Sequence, residues 1–145
     1  MFSGAYSHTI DNKGRTVITS KFRSKLGERF YITRGMHGCL WILAEEAWRE
    51  FQRLLTPKSI LDSKGLKLER FFVGSAVECI PDPQGRIAIP QNLRDYAALE
   101  DDIWIVGLGT KVEIWSNVRW EEFNASLTDE VIEELGAGLG ETIPG

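Results

Sequence analysis

The sequence predicts a mainly β fold with short helices, of the α+β class, in which two similar halves close on each other as one strand-exchanged β-barrel with helices over its ends. Three observations carry this. The stretch Asp11-Asn12-Lys13-Gly14-Arg15 recurs as Asp82-Pro83-Gln84-Gly85-Arg86, with the Asp, Gly and Arg in register. The flanking segments recur in the same order at an offset of about 71 residues, the spacing from Asp11 to Asp82. Each half offers only three to four strands, too few to close a barrel, whereas two halves paired about a pseudo-two-fold axis can close one and remove their edge strands.

In residues 3–10, Tyr6, His8 and Ile10 alternate with the period of a strand and lead into the first turn. There Gly14 can take positive φ, Asp11 can bond backbone amides, and Arg15 is aimed outward as the β-branched run Thr16-Val17-Ile18 begins. Ser20 or Thr19 is placed to cap a short helix that Gly27 ends. Phe22 and Leu26, four residues apart, face the core of this helix, which leaves Lys21 and Lys25 as a separate basic stripe. Residues 30–33 and 39–43 read as a hairpin, with His37 exposed at its Gly-flanked tip. Residues 44–55 form the clearest helix, with Ala47, Trp48, Phe51, Leu54 and Leu55 on one face and Thr56-Pro57 as its stop.

The second half repeats this plan. Val17-Ile18 answers to Ala88-Ile89, Phe22-Arg23 to Leu93-Arg94, Leu40-Trp41 to Ile114-Trp115, and Trp48-Arg49-Glu50-Phe51 to Trp120-Glu121-Glu122-Phe123. The expected organisation is a first repeat over 1–55, a linker helix within 56–74, a second repeat over 75–125 and an acidic tail over 126–145. In the linker, residues 62–72 read as a helix with Leu68, Phe71 and Phe72 inward and Gly74 ending it. In the tail, a short acidic helix over 129–135 precedes Gly136-Ala137-Gly138-Leu139-Gly140, whose composition reads as disordered.

A chain of 145 residues with 43% hydrophobic content can bury one core. It has no run of 18 apolar residues and no charged start followed by an apolar stretch, so the expectation is a cytoplasmic protein without a membrane span. Cys39 and Cys79 belong to no metal or redox spacing and read as reduced, buried thiols. The net charge of −4 conceals an asymmetry: residues 1–55 carry nine Lys/Arg against five Asp/Glu, and residues 75–145 carry four against fourteen. A basic first half can face phosphate while the acidic second half limits non-specific binding.

The opening Met1-Phe2-Ser3-Gly4, Tyr6, His8-Thr9-Ile10-Asp11 and Lys13-Gly14-Arg15, followed by Lys21-Phe22-Arg23, Ile32-Thr33-Arg34-Gly35, Arg70-Phe71-Phe72 and the second Asp-x-x-Gly-Arg, resemble the bacterial MraZ family of transcriptional regulators. The resemblance runs from Met1 to about Phe123. It implies tandem AbrB-like (SpoVT-AbrB) domains sharing one swapped-hairpin, double-split barrel. It further implies a ring-shaped homo-oligomer, nucleoid-associated, that binds double-stranded DNA at short direct repeats upstream of the division and cell-wall gene cluster. Thr19 departs from the family, which usually has Pro there; Pro90 keeps that position in the second copy.

DNA recognition needs charge for phosphates and forked donors for base edges. Arg15 and Arg86 are the candidates for base contact, and Lys13 and Gln84, two residues earlier on the same turns, are donors for base or phosphate. Lys21, Arg23 and Lys25 can position the DNA backbone, with Arg34 a further candidate. Asp11, Gly14, Asp82 and Gly85 hold the turns. The plainer alternative is that each Asp pairs with its Arg only to hold a turn. His8 either touches phosphate or sits in the barrel wall, and the five tryptophans at matched positions read as core or subunit packing rather than base stacking. The sequence carries no nucleophile elbow, phosphate loop or metal-ligand cluster, so no catalytic residue, metal or cofactor is expected. The competing function is a protein-binding assembly or antitoxin-type module without specific DNA readout.

Overall fold

In a computed structural model that describes residues 1–140, the chain forms eight strands and six α-helices in the repeated order the sequence predicts. The first half runs β1 (Phe2–Thr9), β2 (Arg15–Val17), α1 (Ser20–Leu26), β3 (Phe30–Arg34), β4 (Leu40–Ala44) and α2 (Glu45–Leu55). Helix α3 (Ser63–Phe72) follows, then β5 (Val77–Cys79), β6 (Arg86–Ala88), α4 (Gln91–Ala97), β7 (Asp102–Gly109), β8 (Lys111–Ser116), α5 (Asn117–Ser126) and α6 (Asp129–Ala137).

The exchange between halves is explicit in the pairing. A six-stranded antiparallel sheet has the order β1-β7-β8-β4-β3-β5, and a two-stranded antiparallel ribbon pairs β2 with β6. The first strand of each half therefore lies against the third strand of the other, and the order reads the same from either end when each strand is swapped for its counterpart. The ribbon is tied to the ends of the large sheet at the two turns, where the Asp11 N–H donates to the Arg15 carbonyl and the Asp82 N–H to the Arg86 carbonyl. Alternation drives this: Phe30 and Ile32 on β3, Ile103 and Ile105 on β7 and Ile114 on β8 are fully buried in one core. Phe22 of α1 plugs that core, with Phe2 and Tyr6 edge-on at 5.8 and 5.4 Å between ring centroids.

Four local expectations are corrected. Neither Ser20 nor Thr19 caps α1 through its side chain: the Thr19 hydroxyl is engaged by His8 Nε2 at 2.7 Å, leaving the helix start to backbone bonds. Leu68 does not pack inward but is half exposed, because α3 turns Phe72 toward Trp41 and Phe51 instead. Leu54, expected on the covered face of α2, is also exposed, since that face is filled by Trp48 stacking on Tyr31. Gly136 and Ala137 continue α6, and residues 138–140 form turns in which the N–H groups of Gly138, Leu139 and Gly140 donate to the carbonyls of Glu134, Gly136 and Ala137. The rest of the expected disordered tail lies outside the described residues. Phe22 and Leu26 face inward on α1 and the tip at His37 is exposed, as expected. Among the described residues no helix is long and apolar enough to cross a membrane.

Candidate nucleic-acid interface

The two turns are built identically. Asp11 Oδ1 accepts from the backbone N–H groups of Lys13 and Arg15, both at 2.9 Å, and Oδ2 accepts from Arg15 Nε at 2.8 Å. Asp82 does the same with the N–H groups of Gln84 and Arg86 at 2.9 Å and with Arg86 Nε at 2.7 Å. Gly14 and Gly85 have φ of 81° and 80°, a region that side-chain-bearing residues avoid. Each carboxylate thus shapes the turn and holds its arginine by Nε alone, which leaves the outer fork of the guanidinium unbonded among the described residues. The turn-holding and outward-facing readings of Asp and Arg are compatible: one pair does both.

Strand exchange converts two separated turns into one surface. In the β2–β6 ribbon, Arg15 lies opposite Ala88, Thr16 opposite Ile87, and Val17 opposite Arg86. Thr16 and Ile87 are buried, so the alternating neighbours Arg15, Val17, Arg86 and Ala88 share the exposed face. Strand rise and spacing put the Cα atoms of the two arginines roughly 8 Å apart. Lys13 and Gln84 stand exposed on the turns at opposite ends of this ribbon. A two-stranded β-ribbon is narrow enough to enter the DNA major groove, and paired guanidinium forks suit guanine edges there.

The exchange also trades the surroundings of the turns. Ile18 N–H donates to the Gly85 carbonyl and Ile89 N–H to the Gly14 carbonyl, so each helix starts beside the other half's turn. The half-buried Arg23 guanidinium covers Gly85, and Arg94 covers Gly14 while its Nε donates to the Ile89 carbonyl at 2.9 Å. Basic α1, with Lys21 and Lys25 exposed, therefore flanks the second turn. The first turn faces α4 and the acidic run 100–102, the two sides enclosing a depression lined by Asp11, Gln91, Arg94, Asp95, Glu100 and Asp101. Arg23 buttresses a turn, as does Arg94, which belongs to no charged motif in the sequence and is marked only by the repeat of Phe22-Arg23 as Leu93-Arg94. Lys25 is drawn to the N-terminus, where Nζ donates to the Met1 carbonyl at 2.8 Å.

Arg34 is not brought to the ribbon. It ends β3 at the side away from Phe30, which pairs with Cys79 near the second turn, and it donates through Nε to the Phe71 carbonyl at 3.1 Å. Its guanidinium lies over the Phe71 ring at 4.4 Å, a packed cation–π contact that ties β3 to α3. His8 lies on β1, half-buried and bonded to Thr19, and burial lowers its pKa from the ordinary 6.5. Both cysteines are free and buried; burial pushes the Cys79 thiol up to about 11 and the Cys39 thiol further. The tryptophans pack rather than stack outward: Trp48 and Trp115 are buried, and Trp104 and Trp120 complete a cluster with Trp115. Among the described residues no three His, Cys, Asp or Glu side chains meet where they could hold a metal ion.

The backbone N–H and then the guanidinium of Arg15, with the N–H of Lys13, hold the Asp11 carboxyl below its ordinary 3.8, and Arg86 with Gln84 does the same at Asp82. A lowered folded pKa means stabilisation that is complete above the ordinary carboxylate value and lost as pH falls through the lowered one. Both carboxyls should therefore titrate below 3.8 in a side-chain ¹³C NMR titration, with the amide shifts of Lys13, Arg15, Gln84 and Arg86 moving in step. Midpoints at or above 3.8 would contradict the bonded turns.

The family model described as "MraZ protein, putative antitoxin-like" matches residues 1–64 and 72–135. Proteins named transcriptional regulator MraZ are similar over nearly the whole chain. The one from Thermoanaerobacter pseudethanolicus is 43% identical over 141 residues, covering 97% of this chain and 98% of the relative. The one from Alkaliphilus oremlandii is 46% identical over 142 residues, and that from Acetivibrio thermocellus 43% over 142, each covering 97% of this chain and 99% of the relative.

Proposed function

The chain belongs to the MraZ family, and from that premise we propose that it is a sequence-specific, DNA-binding transcriptional regulator whose β2–β6 ribbon enters the major groove. The observation that carries the reading is the convergence of Arg15 and Arg86, from two turns 71 residues apart, on one exposed ribbon face. Each arginine is stiffened by its Asp through Nε and keeps its outer fork for a guanine edge. Lys13 and Gln84 extend the surface at the ribbon's two ends, and Lys21, with Arg23 and Lys25 behind it, supplies backbone charge beside the second turn. Asp11, Gly14, Asp82 and Gly85 shape the turns and read nothing themselves.

The proposed working form is a ring-shaped homo-oligomer on short direct repeats upstream of the division and cell-wall genes, in the cytoplasm at the nucleoid. Two unlike surfaces support a head-to-tail contact between copies. Leu54 is exposed at the end of α2 and Ile60 and Leu61 within the lysine-bearing 56–74 segment that follows it, and Val118, Ile132 and Leu135 are exposed among the acidic residues of α5 and α6. Apolar faces of opposite charge that are not self-complementary favour a closed ring over a two-fold dimer. A ring then multiplies modest contacts when repeat spacing matches subunit spacing.

Gel shift against the DNA upstream of the chain's own gene tests this. Affinity should rise with the number of repeats and fall with salt at a log–log slope of about −0.9 per neutralised phosphate. Little duplex binding even at low salt would overturn the reading in favour of an antitoxin-type assembly module, the alternative named by the family description.

A further inference from the structure

The two arginines do not stand alone on the ribbon face. Val17 lies directly across from Arg86, and Ala88 directly across from Arg15. Val17 is 40% exposed while its neighbours Thr16 and Ile18 are buried, so a β-branched apolar residue stands on the solvent face of the ribbon, with Arg15 two positions earlier on its own strand and Arg86 across from it. Its counterpart in the other half is the much smaller alanine, Ala88.

We propose that Val17 is a specificity-determining residue that reads the methyl group of a thymine next to the guanine contacted by Arg86. The inference rests on the ribbon being the DNA-reading surface. Side chains directly opposite on an antiparallel pair are about 5 Å apart at Cβ, close to the ~3.4 Å rise of one base step, so Val17 and Arg86 fall on neighbouring base pairs. Thymine is the one base that offers a methyl in the major groove, and apolar side chains meet it there. The isopropyl group of valine has no donor or acceptor, so set against the amino group of cytosine or adenine it would leave that group unpaired, at a cost.

The alanine at the matching position matters equally. With Val17 on one side and Ala88 on the other, the pseudo-two-fold ribbon is chemically unequal along its length, as it is at Lys13 and Gln84. A symmetric reader favours a palindrome, whereas an unequal one has a direction. Val17 thus supplies part of what a directly repeated site requires: each ribbon must lie the same way round on every repeat.

The test uses the full chain and two preparations of the duplex upstream of its own gene, one with thymine and one with deoxyuridine, which pairs identically and lacks only the methyl. The wild-type chain should bind the uracil duplex more weakly, by about four-fold for each contacted methyl, equivalent to one buried methyl group. Val17→Ser should bind the two duplexes equally, which separates a methyl contact from any change in DNA shape. Val17→Ile, which keeps an apolar β-branched side chain at the same position, should retain the preference, so a loss confined to Val17→Ser cannot be mistaken for misfolding. A Val17→Ser protein that keeps the wild-type preference, or a folded Val17→Ile protein that loses it, overturns the proposal. A wild-type chain that binds both duplexes equally and tightly overturns it too while sparing the DNA-reading ribbon, and binding to neither duplex overturns both.

Discussion

Replacing Arg15 with Ala should remove most of the specific duplex affinity and leave the fold in place. One bidentate arginine–guanine contact discriminates by roughly 1–3 kcal/mol, a loss of about 5- to 150-fold for each ribbon, and a multi-subunit complex compounds it. The turn survives because Asp11 Oδ1 still accepts the backbone N–H groups of residues 13 and 15, and the Gly14 carbonyl still accepts Ile89 N–H. The lost ion pair is exposed and contributes little to stability. Arg15→Lys sharpens the result, since lysine keeps the charge for phosphate but not the planar fork. It should retain binding to a scrambled duplex and lose preference for the promoter duplex. Normal promoter affinity in a folded Arg15→Ala protein would remove Arg15 from the interface.

Arg86→Ala should cost a comparable amount. In sequence the second turn has Gln84 in place of Lys13 and lies in the acidic half. Strand exchange reverses that neighbourhood. Basic α1 stands beside the second turn and the acidic run 100–102 beside the first, while the two arginines have nearly equal exposure and the same carboxylate geometry.

That reversal marks the boundary of what the sequence reveals. The turns, the repeat, the order of elements and the inward faces of Phe22, Leu26 and the strands follow from local pattern, because alternation and turn chemistry depend on residues a few positions apart. The register that puts Val17 opposite Arg86 joins residues about 70 positions apart, and no local pattern encodes it. The same holds for Arg23 over Gly85 and Arg94 over Gly14. Side-chain competition is equally hidden. Thr19 has the composition of a helix cap, yet His8 reaches its hydroxyl from a strand eleven residues earlier. Arg34 has the charge of a phosphate ligand, yet Phe71 offers it both a carbonyl and a ring.

The turn glycines provide the second large effect. Gly14→Ala should lower thermal stability and disorder the reading surface together. Holding alanine at the φ of 81° found for Gly14 costs about 1–3 kcal/mol before any contact is considered. A Cβ there would also come within 2.5 Å of the Ile89 carbonyl oxygen and of Arg94 Nε, which are bonded to each other against the turn, beside the Ile89 N–H that donates to the Gly14 carbonyl. Gly85 has almost the same φ of 80°, but the nearest atoms to its Cβ belong to the Arg23 side chain, which can swing aside, rather than to backbone. Gly14→Ala should therefore lose roughly 5–10 °C in Tm, and Gly85→Ala clearly less, in thermal unfolding of the two purified variants. In gel shift, Gly14→Ala should weaken promoter binding although every arginine is intact, because an arginine whose turn can move no longer aims its fork. Equal loss of stability in the two variants would show that backbone strain alone sets the cost and that the Ile89 carbonyl gives way. The ordering thus tests whether the ribbon is rigidly clamped by the opposite half, the property that lets two short turns far apart in the chain act as one surface.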